Sequence, residues 1–458
     1  MSTFLKHISL CIPLIACSTI DRTDVAETDQ AVTCPVPTID PARSLEITDP
    51  TVLANFSLHR VMAQILGTAT GATNTPLDLW RSWMATFTDC SDPSINTEGY
   101  DLACRPDEAS LASVNPFNAT GVQFVPVALA NRFDLAPKNG DDCGEYRIVY
   151  AMQGSTSSVS GRGFLIFEGR LDNPEPAMGI GGCAPIADFW AQLSTISSAA
   201  TRASKLEDFY FNGITFFPSS TPSKVVQAHN YGLPAGGARQ GQIRTNMFIN
   251  GVQWNLREFR LAMSSPTTLA VQHVTVKVNP AGALFKSTHP LASSFHMSFP
   301  TQICSLSGND PAQISMKMSD NDFNKFESVS SSGPGVNDVL YSSLIDSGFR
   351  SQLATQMAGL ACSTGLTVNN VLDRATTQTC AGCHELSNSA PLGNGMVWPP
   401  SNGFTQIDEH GTLSPALTGS FLPHRANVLS SFLNDQCLSI AIIDDGLTLS
   451  NTALDAAN

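Results

Sequence analysis

In Cys380-Ala381-Gly382-Cys383-His384, residue type and spacing together specify chemistry. Two thiols about one backbone turn apart, followed at once by an imidazole, are open to several reactions. They can cycle between dithiol and disulfide, supply part of a zinc site, or close a local disulfide. They can also add across two vinyl groups of one flat macrocycle, with His384 then standing over its metal as an axial ligand. Ala381 and Gly382 are small, which lets the backbone approach the macrocycle edge. No βαβ pattern of the redox-dithiol kind surrounds the segment, and no second C-x-x-C or H-x-x-x-H completes a set of zinc ligands.

The segment resembles the attachment site of c-type cytochromes. That resemblance implies one covalent haem c, held through Cys380 and Cys383 with His384 as proximal ligand. A low-spin electron carrier needs a second axial ligand, Met or His. His424, in Phe421-Leu422-Pro423-His424-Arg425, has enough chain before it to reach the far side of the porphyrin and ranks first. Met396 follows the motif closely and ranks second, and His410, in the polar loop Asp408-Glu409-His410-Gly411, ranks third. A free sixth position is the remaining alternative. Arg425 is placed to meet a haem propionate, or else is a surface arginine. Trp398 and Phe404 can wall the crevice.

The chain has 458 residues, of which 14% are charged, and a formal net charge of -14. Its length calls for more than one core. Its charge disfavours nucleic acid and anionic lipid as partners. Near the start, Ile8 to Ile15 is an apolar run too short to span a bilayer and fits the core of a signal peptide. Leu14-Ile15-Ala16-Cys17 resembles the lipobox of bacterial lipoproteins, which implies cleavage before Cys17, acylation of its thiol and a stable lipid anchor. Ser18 follows Cys17, and by that family's sorting tendency this favours the outer membrane. The alternative is an ordinary secretory signal with Cys17 as an incidental thiol. Setting aside Cys11, Cys17, Cys380 and Cys383 leaves Cys34, Cys90, Cys104, Cys143, Cys183, Cys304, Cys362 and Cys437. An even number in an exported chain reads as four disulfides. Proximity favours Cys90–Cys104 and Cys143–Cys183, with Cys304, Cys362 and Cys437 tying the C-terminal region.

The elements that must position these residues follow from periodicity. After a signal peptide (1–16), a polar tether is expected over 17–47. An α+β body is expected over 48–300, with helices in 49–90 and a mainly antiparallel sheet in 121–300. Asp49-Pro50 opens a helix carrying Leu58, Val61, Met62, Ile65 and Leu66 and ending at Gly67. A second helix, Pro76 to Phe87, carries Trp80, Trp83, Met84 and Phe87 as a core stripe. Strand-like runs occur at Phe124–Leu129, Tyr146–Tyr150 and Phe164–Phe167, and Pro185 opens another helix. Asn250-Gly251 provides a type I′ turn for a hairpin from Gln242 to Leu261, which Leu269 to Val278 extends. A helical domain resembling cytochrome c is expected over 301–440, followed by a tail over 441–458. Its helices are marked by Val336, Val339 and Leu340; by Phe349, Leu353 and Met357; by Thr367 capping Val368, Val371, Leu372 and Ala375; and by Pro423 opening Val428 to Leu433. In cytochromes of this kind the helix leading into the motif packs against the last helix.

Arg132, Asp134, Glu145, Arg147, Glu168, Arg170, Arg244, Arg257 and Glu258 crowd the sheet region. They read either as a polar pocket or as a solvated face with cross-strand ion pairs, and the second is the expectation. G-x-S-x-G, a P-loop and a dinucleotide fingerprint are absent. Asn131–Ala136, Cys143–Ile148, Trp254–Phe259 and Phe421–Arg425 are similar to blocks in exported bacterial proteins of unknown function with one terminal C-x-x-C-H, a resemblance that implies no activity. The expected function is electron transfer by a lipid-anchored monohaem protein, with an unidentified redox protein or small molecule as partner. The alternatives are a haem oxidoreductase with an open distal site, and a haem-free surface binding lipoprotein with a Cys380–Cys383 disulfide.

Overall fold

The computed structural model describes residues 34–90, 102–118, 120–218, 220–232, 240–251, 253–318, 321–330 and 338–444. The signal segment, Cys17 and Val336 lie outside the described residues. The fold is a mixture of α and β, with thirteen α-helices and one eight-stranded sheet among the described residues. The strands are β1 (Glu46–Ile47), β2 (Gln123–Arg132), β3 (Asp142–Gln153), β4 (Gly161–Asp172), β5 (Gln242–Ile249), β6 (Trp254–Ser265), β7 (Thr268–Val274) and β8 (Glu327–Ser330). They pair antiparallel in chain order from β1 to β7, and β8 joins β6 where β7 has ended. Asn250 (φ 54) and Gly251 (φ 73) both take the left-handed conformation that the β5–β6 turn requires.

Alternation sends one side of each strand into the main core. There Tyr146, Ile148, Tyr150, Leu165, Phe167, Ile243 and Phe259 are buried under helices Leu58–Thr68, Pro76–Ala85 and Ala184–Leu193. The expected aromatic stripe does pack: the Trp83 ring lies 6.1 Å from Phe167 and 5.7 Å from Phe259, and Trp190 stacks on Tyr146 at 5.5 Å. Asp49 caps a short helix, Pro50–Leu53, and Ser57 caps a separate one, Leu58–Thr68, so the single helix expected there is two.

The domain boundaries need correction. Residues 34–47, expected as tether, are built into the fold: Cys34 is bonded to Cys437, Asp40 caps Pro41–Ser44, and β1 pairs with β2. A two-residue strand leaves no periodicity to read, and its partner is far along the chain. The division at residue 300 also fails. Leu284, Phe285 and Phe295 share one apolar cluster with Phe349, Leu353, Val371 and Leu372, and β8 returns from the region expected to be helical to extend the sheet. Val339 and Leu340 are exposed and precede the short helix Tyr341–Leu344 instead of forming its buried face. The helix leading into the motif, Val368–Thr377, packs chiefly on Ile303–Leu306, Tyr341–Leu344 and Ser347–Ala358. The last helix, Leu422–Asp444, packs chiefly on Ala184–Leu193 and on the turn Phe133–Leu135. That differs from the pairing implied by the cytochrome resemblance, because the Cys34–Cys437 bond and the Phe133–Phe432 contact draw the last helix to the body. No described helix is long and apolar enough to cross a membrane.

Candidate haem-attachment site

Val368–Thr377 starts at a reciprocal cap, in which Thr367 Oγ1 accepts from the Asn370 backbone and the Asn370 side chain accepts from the Thr367 N–H. After it, one wide helical turn, Gly382–Leu386, carries Cys383 and His384. Such π-type turns recur at functional sites. Gly382 has no substitute here, since a Cβ would lie 1.7 Å from the Thr376 carbonyl oxygen. The Ala381 N–H donates to Ser328 Oγ on β8 at 3.1 Å, and Ser401 Oγ donates to the His384 carbonyl at 2.5 Å.

Ten cysteines are described, and eight form the disulfides Cys34–Cys437, Cys90–Cys104, Cys143–Cys183 and Cys304–Cys362. Both neighbour pairs expected from proximity are present. Cys304 and Cys362 tie the C-terminal region, while Cys437 reaches back to Cys34. Cys380 and Cys383 are the two described cysteines left as thiols, both half-buried. Burial pushes Cys380 up to about 12 and Cys383 up to about 11. They are therefore neutral thiols at pH 7, whereas the attacking thiol of a redox dithiol has a depressed value. Among the described residues no three His, Cys, Asp or Glu side chains converge as metal ligands.

His384 is half-buried. Its Nδ1 lies 2.7 Å from the Phe404 carbonyl oxygen. A carbonyl only accepts, so Nδ1 carries the proton and Nε2 keeps the lone pair. Burial lowers the ring to about 4, and it is neutral at pH 7. This is the state in which an imidazole binds a metal, with its second nitrogen oriented by a carbonyl. The thiols border two apolar clusters. Cys380 packs with Trp254, Leu256, Val276 and Phe404, and Cys383 with Leu392, Met396 and Trp398. The indole N–H of Trp398 is buried without a hydrogen-bond partner, a donor suited to a carboxylate such as a propionate. Two thiols, a neutral imidazole, apolar walls and an orphaned donor fit a covalently attached haem.

The floor is the second side of the sheet. Glu46, Arg147, Glu168 and Gln242 lie in one register row across β1, β3, β4 and β5, flanked by Arg132–Glu145–Arg170 and Arg244–Glu258. Arg147 meets Glu145 at 2.5 Å and Glu168 at 3.3 Å, and Arg244 meets Glu258 at 3.0 Å. Glu145, Glu168 and Glu258 are at most 2% exposed, so the expectation of a solvated face is wrong. Residues 380–425 cover it: Arg162 grips Glu409 and the Gly403 carbonyl, and Asn246 bonds the Phe404 carbonyl. Arg257 points to the other side, where it pairs with Glu327 at 3.0 Å.

The remaining candidates are dispersed. Met396 is buried in the cluster that Cys383 borders, within a turn closed by the Leu392 N–H on the Met396 carbonyl. His410 is exposed in a turn held by Asp408. His424 is half-buried on Leu422–Asp444. Its neighbour Arg425 is buried and bound to Glu46 at 3.2 Å, with Asp134 at 4.0 Å, so this chain's own carboxylates already hold it. Phe404's carbonyl, Asn246 and Ser328 were missed in the sequence. A main-chain acceptor has no sequence signal, although the alternation of β5 did place Asn246 beside Arg244. No family model, curated protein or solved structure matches the chain, and the reading of the site rests on its own residues.

Proposed function

We propose that the chain is an exported, lipid-anchored monohaem c-type protein that transfers electrons, with haem held by Cys380 and Cys383 and His384 as proximal ligand. One observation carries this: every other described cysteine is in a disulfide, and the two thiols left belong to C-x-x-C-H beside a neutral imidazole with its Nε2 lone pair available. The bound haem would supply one-electron exchange. The chain's part is to orient His384 through Phe404, to exclude water with Trp254, Trp398 and Phe404, and to surround the site with paired charges. The helical region then acts as the haem-bearing part without the helix pairing of small cytochromes c. Cys17 serves as the lipid anchor at the outer membrane. His424, Met396 and His410 remain the sixth-ligand candidates, in that order.

The test is expression with export and haem-attachment machinery present, followed by haem staining of a denaturing gel and intact-mass analysis. A covalent band lost in Cys380→Ala/Cys383→Ala supports the proposal. Free or mutually bonded Cys380 and Cys383 in matured protein overturn it in favour of the haem-free binding protein. A six-coordinate low-spin spectrum, altered in one of His424→Ala, Met396→Ala or His410→Ala, supports electron transfer. A high-spin spectrum favours the oxidoreductase. Loss of fatty-acid labelling in Cys17→Ala checks the anchor.

A further inference from the structure

We propose that Asn246 and Trp254, on the β5–β6 hairpin, are positioning residues that set the strength of the His384 hydrogen bond and so the reduction potential of the site; this rests on the haem reading above. The Phe404 carbonyl oxygen accepts twice, from His384 Nδ1 at 2.7 Å and from Asn246 Nδ2 at 2.9 Å. Trp254 Nε1 donates to Asn246 Oδ1 at 2.5 Å. An indole nitrogen only donates, so Oδ1 must face it and the amide N–H must face Phe404; the orientation of Asn246 follows from its partners. Asn246 is 4% exposed and Trp254 1%. Phe404 itself sits at φ 63, a left-handed backbone that a phenylalanine adopts only when its surroundings hold it there. The Trp254 ring lies 5.8 Å from the His384 ring and 5.4 Å from Phe404, so the residue that anchors the amide also limits rotation of the imidazole.

The chemistry has a direction. A strong bond from Nδ1–H makes Nε2 more basic, which favours ferric over ferrous iron. Asn246 draws on the same carbonyl lone pairs and weakens that bond. It therefore holds the potential up, and the body of the protein reaches the metal through one amide side chain.

The test uses the full-length, haem-loaded protein and its Asn246→Leu and Trp254→Phe variants. Asn246→Leu is expected to keep covalent haem while the ferric/ferrous ratio at a fixed applied potential rises about threefold. For a one-electron couple that is a fall of about 28 mV. Trp254→Phe shifts the same way by less, and carries the measurement if Asn246→Leu does not fold. A contact of structural importance alone lowers the melting temperature and leaves the potential unchanged, and that result in a folded, haem-bearing variant overturns the proposal. If the parent protein carries no covalent haem, the haem reading fails separately. The side-chain ¹⁵N shifts of His384 in the haem-free protein then decide. A ring protonated at Nδ1 whose shift moves in Asn246→Leu supports the positioning role, and identical shifts refute it.

Discussion

On one side of the sheet Trp83 lies edge-on to Phe167 and Phe259; on the other, along the same strands, Arg147 lies between Glu145 and Glu168. Both sides are closed to water, but the return differs. Each large apolar side chain on the first side contributes about 1.5–3 kcal/mol by leaving water. The ion pairs on the second side recover roughly what their desolvation costs, so apolar residues of the same shape would serve stability as well or better. A face whose ion pairs add little net stability, roofed by the segment that carries Cys380, Cys383 and His384, accords with the haem site proposed above it.

The largest effect that can sharpen this contrast is on the apolar side. Trp83→Ala should cost about 3–5 kcal/mol in urea unfolding, and a loss under 1 kcal/mol would mean that the stripe is not the core. Next comes the Glu46–Arg425 pair at the edge of the charged side. Glu46→Ala leaves Arg425 only the longer Asp134 contact at 4.0 Å and should cost about 3 kcal/mol. Glu46→Leu with Arg425→Met should return to within about 1 kcal/mol of the parent, because Asp134 keeps its own partner Arg132. If the double variant is as unstable as the single one, the charged face is structural after all.

Acid should weaken the charged face. Burial alone would raise Glu145, but Arg147, Arg170, Arg132 and Arg244 outweigh it and hold the carboxyl near about 2, below its ordinary value of 4.5. A depressed carboxyl adds stability that is complete above the unfolded value and lost as pH falls through the folded one. The unfolding free energy from urea titration should therefore fall between pH 4.5 and 2, by an amount on the order of 2 kcal/mol, and the midpoint with it. A midpoint that is flat over this window contradicts the pairing. The smallest change belongs to neither face: Thr367→Ala removes the cap of the helix entering the motif and should cost about 1 kcal/mol in thermal unfolding.

What could be read from the sequence was local. Asp49, Thr367, Asn250-Gly251 and the spacing of Trp80, Trp83 and Phe87 carry their geometry in a few neighbouring residues. So did Cys90 and Cys104. The short strands β1 and β8 did not, since each is fixed by a partner distant in sequence. Arg147 and Glu168 were misjudged because burial of a polar strand face depends on its cover, and the cover arrives more than two hundred residues later. At the site, the motif showed itself through residue identity, while Phe404 acts through its main chain and has no identity to show.

The bond between Cys34 and Cys437 joins positions 403 residues apart and makes nearly the whole described chain a closed ring. One proteolytic cut within that ring opens it without releasing a fragment, and the two ends stay covalently linked until a second cut or a reductant arrives. Under the proposed anchoring, a molecule nicked once at the cell surface would keep Cys380, Cys383 and whatever they carry tied to the membrane. On a non-reducing gel it would retain the mass of the intact protein.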